Sequence, residues 1–196
     1  MILEAGAAAA VATTPGGGWL VAAVIWPVVA VVLAIVAGGR HAARIALVSM
    51  PVGLAVAVAI AVRVWPGDEA LVYLVGGWAP PLGIALRADG LSVAMMLTTG
   101  IVITGAGLFA HADFAPQPGE PETRTSLVFW VLLIAVWGAM NLVVMSHDLF
   151  NLYVALELLT FAAVPLVCLD GGAATLAASL RYITFALLGA GPSLLG

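Results

Sequence analysis

Residues 149–169 read LFNLYVALELLTFAAVPLVCL, an apolar run interrupted by one charge, Glu157. A membrane-spanning helix needs roughly 20 mostly apolar residues. This stretch supplies them continuously rather than at period two, which selects a helix over a barrel strand. Asp170-Gly171-Gly172 follows, and then a second run, Ala173–Leu195, that holds Arg181. Toward the N-terminus lie four more: Trp19–Ala37, Ile45–Trp65, Leu91–Ala110 and Leu127–Met145. The sequence therefore predicts an all-α integral membrane protein of about six transmembrane helices. They form a single transmembrane domain over 19–196, behind a flexible, Ala/Gly-rich lead-in at 1–18.

Composition agrees. Of 196 residues, 64% are hydrophobic and 8% charged, where a soluble domain carries about 25% charged. Six basic residues, all arginine, stand against ten acidic ones for a net charge of −4. A soluble enzyme, a disordered tail and a nucleic-acid binder are excluded, since no basic patch exists for a phosphate backbone. The first span does not read as a signal peptide, because Glu4 precedes it and no small-residue cleavage site follows. The lone Cys168 cannot form an intrachain disulfide.

Two connections are long. Pro66 to Gly90 centres on Gly76-Gly77-Trp78-Ala79-Pro80-Pro81 between valines and leucines, which predicts a small hairpin on the membrane face. His111 to Ser126 carries Pro116, Pro118 and Pro121 with Glu120, Glu122 and Arg124, a solvated loop. Arg40, Arg44 and Arg124 fall on one side and Arg63 and Arg87 on the other. The count favours an outside N-terminus by the positive-inside rule.

Two charges lie deep in spans. Glu157 is about 12 Å down the fifth helix from Leu149, and Arg181 is about equally deep in the sixth from Ala173, at 1.5 Å per residue. The short Asp170-Gly171-Gly172 turn makes the two helices antiparallel neighbours. Equal depth from opposite faces of a core roughly 30 Å thick puts both charges near the midplane, where they can face each other. A lone charge there is costly, so it is kept where it is paired, hydrated or functional. Tyr153 at i−4 and Thr160 at i+3 give Glu157 a polar face. Pro165 further along allows a kink that admits water. A carboxylate poised between desolvation and a guanidinium at variable distance can load and release a proton. Arginine cannot lose its own proton, so Arg181 modulates rather than relays. The plainer reading is an inter-helix ion pair that fixes register.

The remaining polar residues have simpler readings. Asp68, Glu69, Asp113, Glu120, Glu122 and Arg124 are loop charges, and Arg40 and Arg44 anchor at headgroups. His41 and His111 are interfacial. His147 and Asp148 sit at a helix mouth, where His147 either feeds protons in or is an interfacial polar group. No His/Cys/Asp/Glu group has metal-ligand spacing, so no metal site is expected. Met95-Met96 reads as packing. Gly16-Gly17-Gly18 lacks the Lys-Ser/Thr of a phosphate loop, and Gly100, Gly105 and Gly107 suit close helix packing.

Three stretches together resemble the proton-translocating membrane subunits of respiratory complex I and of Mrp-type monovalent cation/proton antiporters, most closely the antiporter D subunits. The first is Gly76-Gly77-Trp78-Ala79-Pro80-Pro81-Leu82-Gly83-Ile84 with Asp89-Gly90-Leu91-Ser92. The second is Asp148-Leu149-Phe150-Asn151-Leu152-Tyr153-Val154-Ala155-Leu156-Glu157, similar to the family's fifth-helix motif ending in its essential glutamate. The third is Leu180-Arg181-Tyr182, where the family usually has a sixth-helix lysine. The resemblance implies that Glu157 is the proton-channel carboxylate and Arg181 its basic partner. Family members continue through further helices, so the chain is expected to be the N-terminal portion of a longer antiporter-like bundle.

The leading expectation is a multi-pass plasma-membrane subunit of an Mrp-type antiporter, acting with other membrane subunits on protons and sodium, with no redox cofactor. Its proton-translocation residues are Glu157, Arg181, His147 and Tyr153. One alternative is a proton-pumping membrane-arm subunit of complex I, an NADH-quinone oxidoreductase, or of a related hydrogenase. Another is a non-conducting structural membrane fragment, its Glu157–Arg181 pair only locking helices.

Overall fold

A computed structural model describes residues 12–67, 69–78, 83–113 and 124–193. Six α-helices follow in chain order: α1 (Gly18–Ala37), α2 (Gly39–Val64), α3 (Gly90–Asp113), α4 (Arg124–Met145), α5 (Leu149–Val167) and α6 (Ala173–Ser193). Between α2 and α3 two strands, β1 (Leu71–Leu74) and β2 (Ala85–Ala88), pair antiparallel with Leu71 opposite Ala88 and Leu74 opposite Ala85. The expected hairpin is thus present, although Ala79 to Leu82 of its connection lie outside the described residues. Among the described residues, α1 to α5 each contain a span long and apolar enough to cross a membrane. α6 stands where the sixth span is expected.

Helix α4 is the centre of the bundle, with α1, α2, α3 and α5 packed around it. Its Trp130 and Trp137 are fully buried. Small residues on the neighbouring helices make room for them. A Cβ on Gly53 of α2 would lie 2.2 Å from the Trp137 ring, and one on Gly107 of α3 would lie 2.6 Å from Met50. A Cβ on Gly100 would lie 3.1 Å from Leu54, a tight but milder contact, whereas Gly105 faces open space, so only two of the three α3 glycines serve the expected packing. Met96 is buried in the core and Met95 is exposed.

Pro27 stands inside α1. Its ring removes the N–H that would otherwise satisfy the Ala23 carbonyl one turn back. Asn141 of α4 supplies the missing donor, its Nδ2 reaching Ala23 O at 3.0 Å. Gly138, one turn earlier on α4, lets the helices close up there, because a Cβ would meet Pro27 Cβ at 2.9 Å. Trp26 Nε1 donates to Ser49 O at 2.9 Å and ties α1 to α2.

The chain reverses between α1 and α2 at Gly38, whose φ of 79° suits glycine. α2 starts at Gly39 rather than near Ile45, so Arg40, His41 and Arg44 ride on its first turns. α3 runs on to Asp113, and α4 already begins at Arg124, which shortens the expected loop from both sides. The rest of that loop, 114–123, and Asp68 lie outside the described residues.

One end of the bundle is closed by the hairpin. Leu71, Leu86 and Ala88 join a cluster with Leu20, Ile60, Val93, Met96 and Met145. Of the lead-in expected over 1–18, residues 1–11 lie outside the described residues. Its last part is tied down: Thr14 N donates to Val72 O at 2.9 Å, and Leu74 N donates to Thr13 Oγ1 at 3.1 Å. These bonds occupy part of the open edge of β1. Arg63, at the end of α2, lies 4.9 Å from the Trp19 ring centroid, a cation–π contact. The outward faces of the helices are apolar, with Val36 at 80% and Phe109 at 76% exposure, as lipid-facing surface requires.

Candidate functional site

α5 starts at an N-cap that its sequence encodes. Asp148 has extended backbone and its side chain accepts from Asn151 N at 2.7 Å, satisfying one of the donors a helix start leaves free. Asp89 does the same for α3, its Oδ1 accepting from Ser92 N at 3.0 Å and Ser92 Oγ at 3.1 Å. The Ser92 backbone N–H holds the Asp89 carboxyl below its ordinary value against the opposing effect of burial, with help from the Ser92 hydroxyl and the Arg87 guanidinium. Both aspartates of the quoted motifs are therefore helix caps.

From the Asp148 cap, α5 turns Asn151, Ala155 and Ala162 into the bundle. Tyr153 and Glu157 lie one turn apart on a half-buried flank. The Tyr153 hydroxyl donates to Glu157 Oε1. Thr160, also expected beside Glu157, instead bonds back to Leu156 O at 2.9 Å. Pro165 falls in the last turn, where the Cys168 N–H closes on Pro165 and Val164 carbonyls, so it marks the end of α5 rather than a mid-helix kink.

Arg181 is exposed on α6, and among the described residues it makes no ion pair with Glu157. The expected face-to-face pairing is not formed. The reason is helix packing: α6 leaves the Cys168–Asp170 turn through Gly171 at φ 67° and packs far less on α5 than α4 does. Equal depth along two axes does not make two side chains meet. His147 is half-buried in the short α4–α5 connection. That connection is fastened to the hairpin by a bridge between Ser146 and Leu86. His111 packs edge-on to Trp130 with ring centroids 6.4 Å apart.

Sequence patterns alone do not single out Asn141, which is 5% exposed, nor the burial of Asn151, which is 3% exposed. The signal available is an asparagine inside an apolar run, since a buried amide needs a partner.

The chain has named relatives. It is 38% identical over 112 residues to the Na(+)/H(+) antiporter D subunit of Bacillus subtilis (strain 168), covering 56% of this chain and 21% of that one. It is 32% identical over 121 residues to the antiporter subunit mnhD2 of Staphylococcus aureus (strain JH9), covering 62% of this chain and 23% of that one. The chain is similar to antiporter D subunits. It spans between a fifth and a quarter of the length of these curated relatives. No family model matches it.

Solved structures agree on the fold. A chain of the Mrp complex from Dietzia sp. DQ12-45-1b superposes with a TM-score of 0.74 at 24% identity, covering 91% of this chain and 33% of that one. A chain of the membrane-bound sulfane sulfur reductase, an archaeal respiratory membrane complex, gives 0.77 at 20% identity, covering 90% and 35%. The chain is thus a multi-pass membrane protein with the helical architecture found in these assemblies.

Proposed function

We propose that this chain belongs to a membrane subunit that exchanges protons for a monovalent cation, with Glu157 as the group that carries the proton. The observation behind this is the Tyr153–Glu157 hydrogen bond on a half-buried flank of an otherwise apolar spanning helix. A carboxyl group can take up and release a proton, and the tyrosine hydroxyl one turn away holds this one in place. Similarity to proteins named as antiporter subunits supports the transport class. Arg181 then acts on Glu157 as a charge at a distance, unscreened in low-dielectric surroundings, and its influence changes as α6 moves relative to α5. His147, ahead of the Asp148 cap, lies on the water side of the same helix. Protons and sodium are the proposed cargo, and further membrane subunits are the proposed partners.

A membrane arm driven by a redox reaction shares this fold, so the likeness to the respiratory complex does not separate the two readings; the names of the sequence relatives favour antiport. The structural-fragment reading needs a locking Glu157–Arg181 pair, which is not formed among the described residues. The test is cation-driven proton flux in membranes carrying the intact assembly with Glu157→Gln, which loses flux under this proposal.

A further inference from the structure

Two polar atoms at the head of α5 find no partner among the described residues. Asp148 spends Oδ1 on the Asn151 N–H at 2.7 Å, while Oδ2 of the same carboxyl is buried and unpaired. Asn151 is 3% exposed, and its Nδ2 is likewise buried and unpaired. An ionised carboxylate oxygen only accepts and an amide nitrogen only donates. The two orphans are therefore complementary, and they belong to residues joined by the capping bond, yet they do not bond directly. Buried groups of this kind in native proteins are satisfied by protein or by ordered water, which makes two to four bonds of its own.

We propose that an ordered water molecule is bound at the head of α5, accepting from Asn151 Nδ2 and donating to Asp148 Oδ2. The same water is the first station on the proton route toward Glu157. His147 immediately precedes Asp148, and Glu157 lies about 9 Å along the helix axis from Asn151 and roughly a third of a turn round it, so the route continues past this water. A proton taken up on the water oxygen is matched by one released toward the interior, so the water is unchanged by each transfer. The bridge from Leu86 of the hairpin to Ser146 fixes the turn that carries this site. The relay role rests on the proposed function of Glu157; the water site itself does not.

The test is cryo-electron microscopy of the intact assembly at a resolution that shows ordered solvent, together with proton flux in proteoliposomes. Wild type is expected to show density within hydrogen-bonding distance of both atoms. Asn151→Leu is expected to lose it and to lower flux about tenfold, while Asn151→Ser retains the density and most of the flux. Empty space between the two atoms in wild type overturns the site, as does a density with contacts of about 2.4 Å, too short for water. Density in wild type with full flux in Asn151→Leu overturns the relay role. Full flux in Glu157→Gln with the density intact overturns the Glu157 reading and leaves the water site standing.

Discussion

The Tyr153 hydroxyl reaches the Glu157 carboxylate from one turn back along α5, so this carboxylate is held by its own helix and not by Arg181. The arrangement survives any displacement of α6, because both partners move together. Arg181 is then free to shift its distance from the pair without breaking it. Tyr153→Phe removes the donor and keeps the ring. We expect flux in the intact assembly to fall about tenfold, the scale of 1.4 kcal/mol, with thermal stability nearly unchanged. Full flux in this variant would show that the hydroxyl plays no part.

The Asn141–Ala23 bond predicts a coupling between two helices. Asn141→Ala leaves the Ala23 carbonyl without a donor where Pro27 already removed one, at a cost of about 1 kcal/mol. Pro27→Ala restores the backbone N–H. In a double-mutant cycle followed by thermal unfolding in detergent, the cost of Asn141→Ala should shrink when Pro27 is replaced. Strict additivity would mean that the amide is not compensating for the proline.

Glycine positions separate tight from open packing. Gly53→Ala places a Cβ against Trp137 at 2.2 Å, whereas Gly105→Ala meets nothing within 4 Å. The first should destabilise by about 1–3 kcal/mol through overpacking, and Trp137→Phe should relieve part of it. The second should be neutral or slightly favourable in a helix. Equal melting temperatures for the two variants would contradict the packing around α4.

The Asp89 cap gives a pH dependence with a definite sign. Its folded carboxyl sits below the ordinary value of 3.8. A depressed acid contributes stability that is fully present above the ordinary value and is lost as pH falls through the lower folded one. Protection of the Ser92 amide, measured against its intrinsic exchange rate at each pH, should therefore hold at neutral pH and fall only at acid pH, below the ordinary carboxylate value. Asp89→Asn keeps an acceptor and should remove this acid dependence, while Asp89→Ala should speed exchange at every pH.

Particular residues show what the sequence made legible. The spans were readable because lipid demands continuous apolar runs with internally satisfied backbone, and the hairpin because a Gly/Pro centre between valines and leucines admits few alternatives. Helix ends were less so. Arg40 and Arg44 read as headgroup anchors between two spans, yet Gly38 lets the chain turn at once into α2, and arginine is a good helix former. The relation of Glu157 to Arg181 was not readable, because depth along an axis fixes neither the rotation of a helix nor how tightly it packs on its neighbour. Asn141 escaped notice because its partner, the carbonyl freed by Pro27, lies in another span far away in sequence. Tyr153 was legible because i and i+4 neighbours on one helix are fixed by local geometry alone.

Glu157 as the proton carrier meets its sharpest trial in cation-driven proton flux. The flux is measured in proteoliposomes holding the intact assembly, with Glu157→Gln, Glu157→Asp and wild type matched for assembly and stability. Glutamine keeps the shape and a hydrogen-bond acceptor for Tyr153 but cannot take up and release a proton. Glu157→Gln is expected to abolish flux while Glu157→Asp retains a measurable fraction. Wild-type flux in a fully assembled Glu157→Gln complex would contradict the assignment.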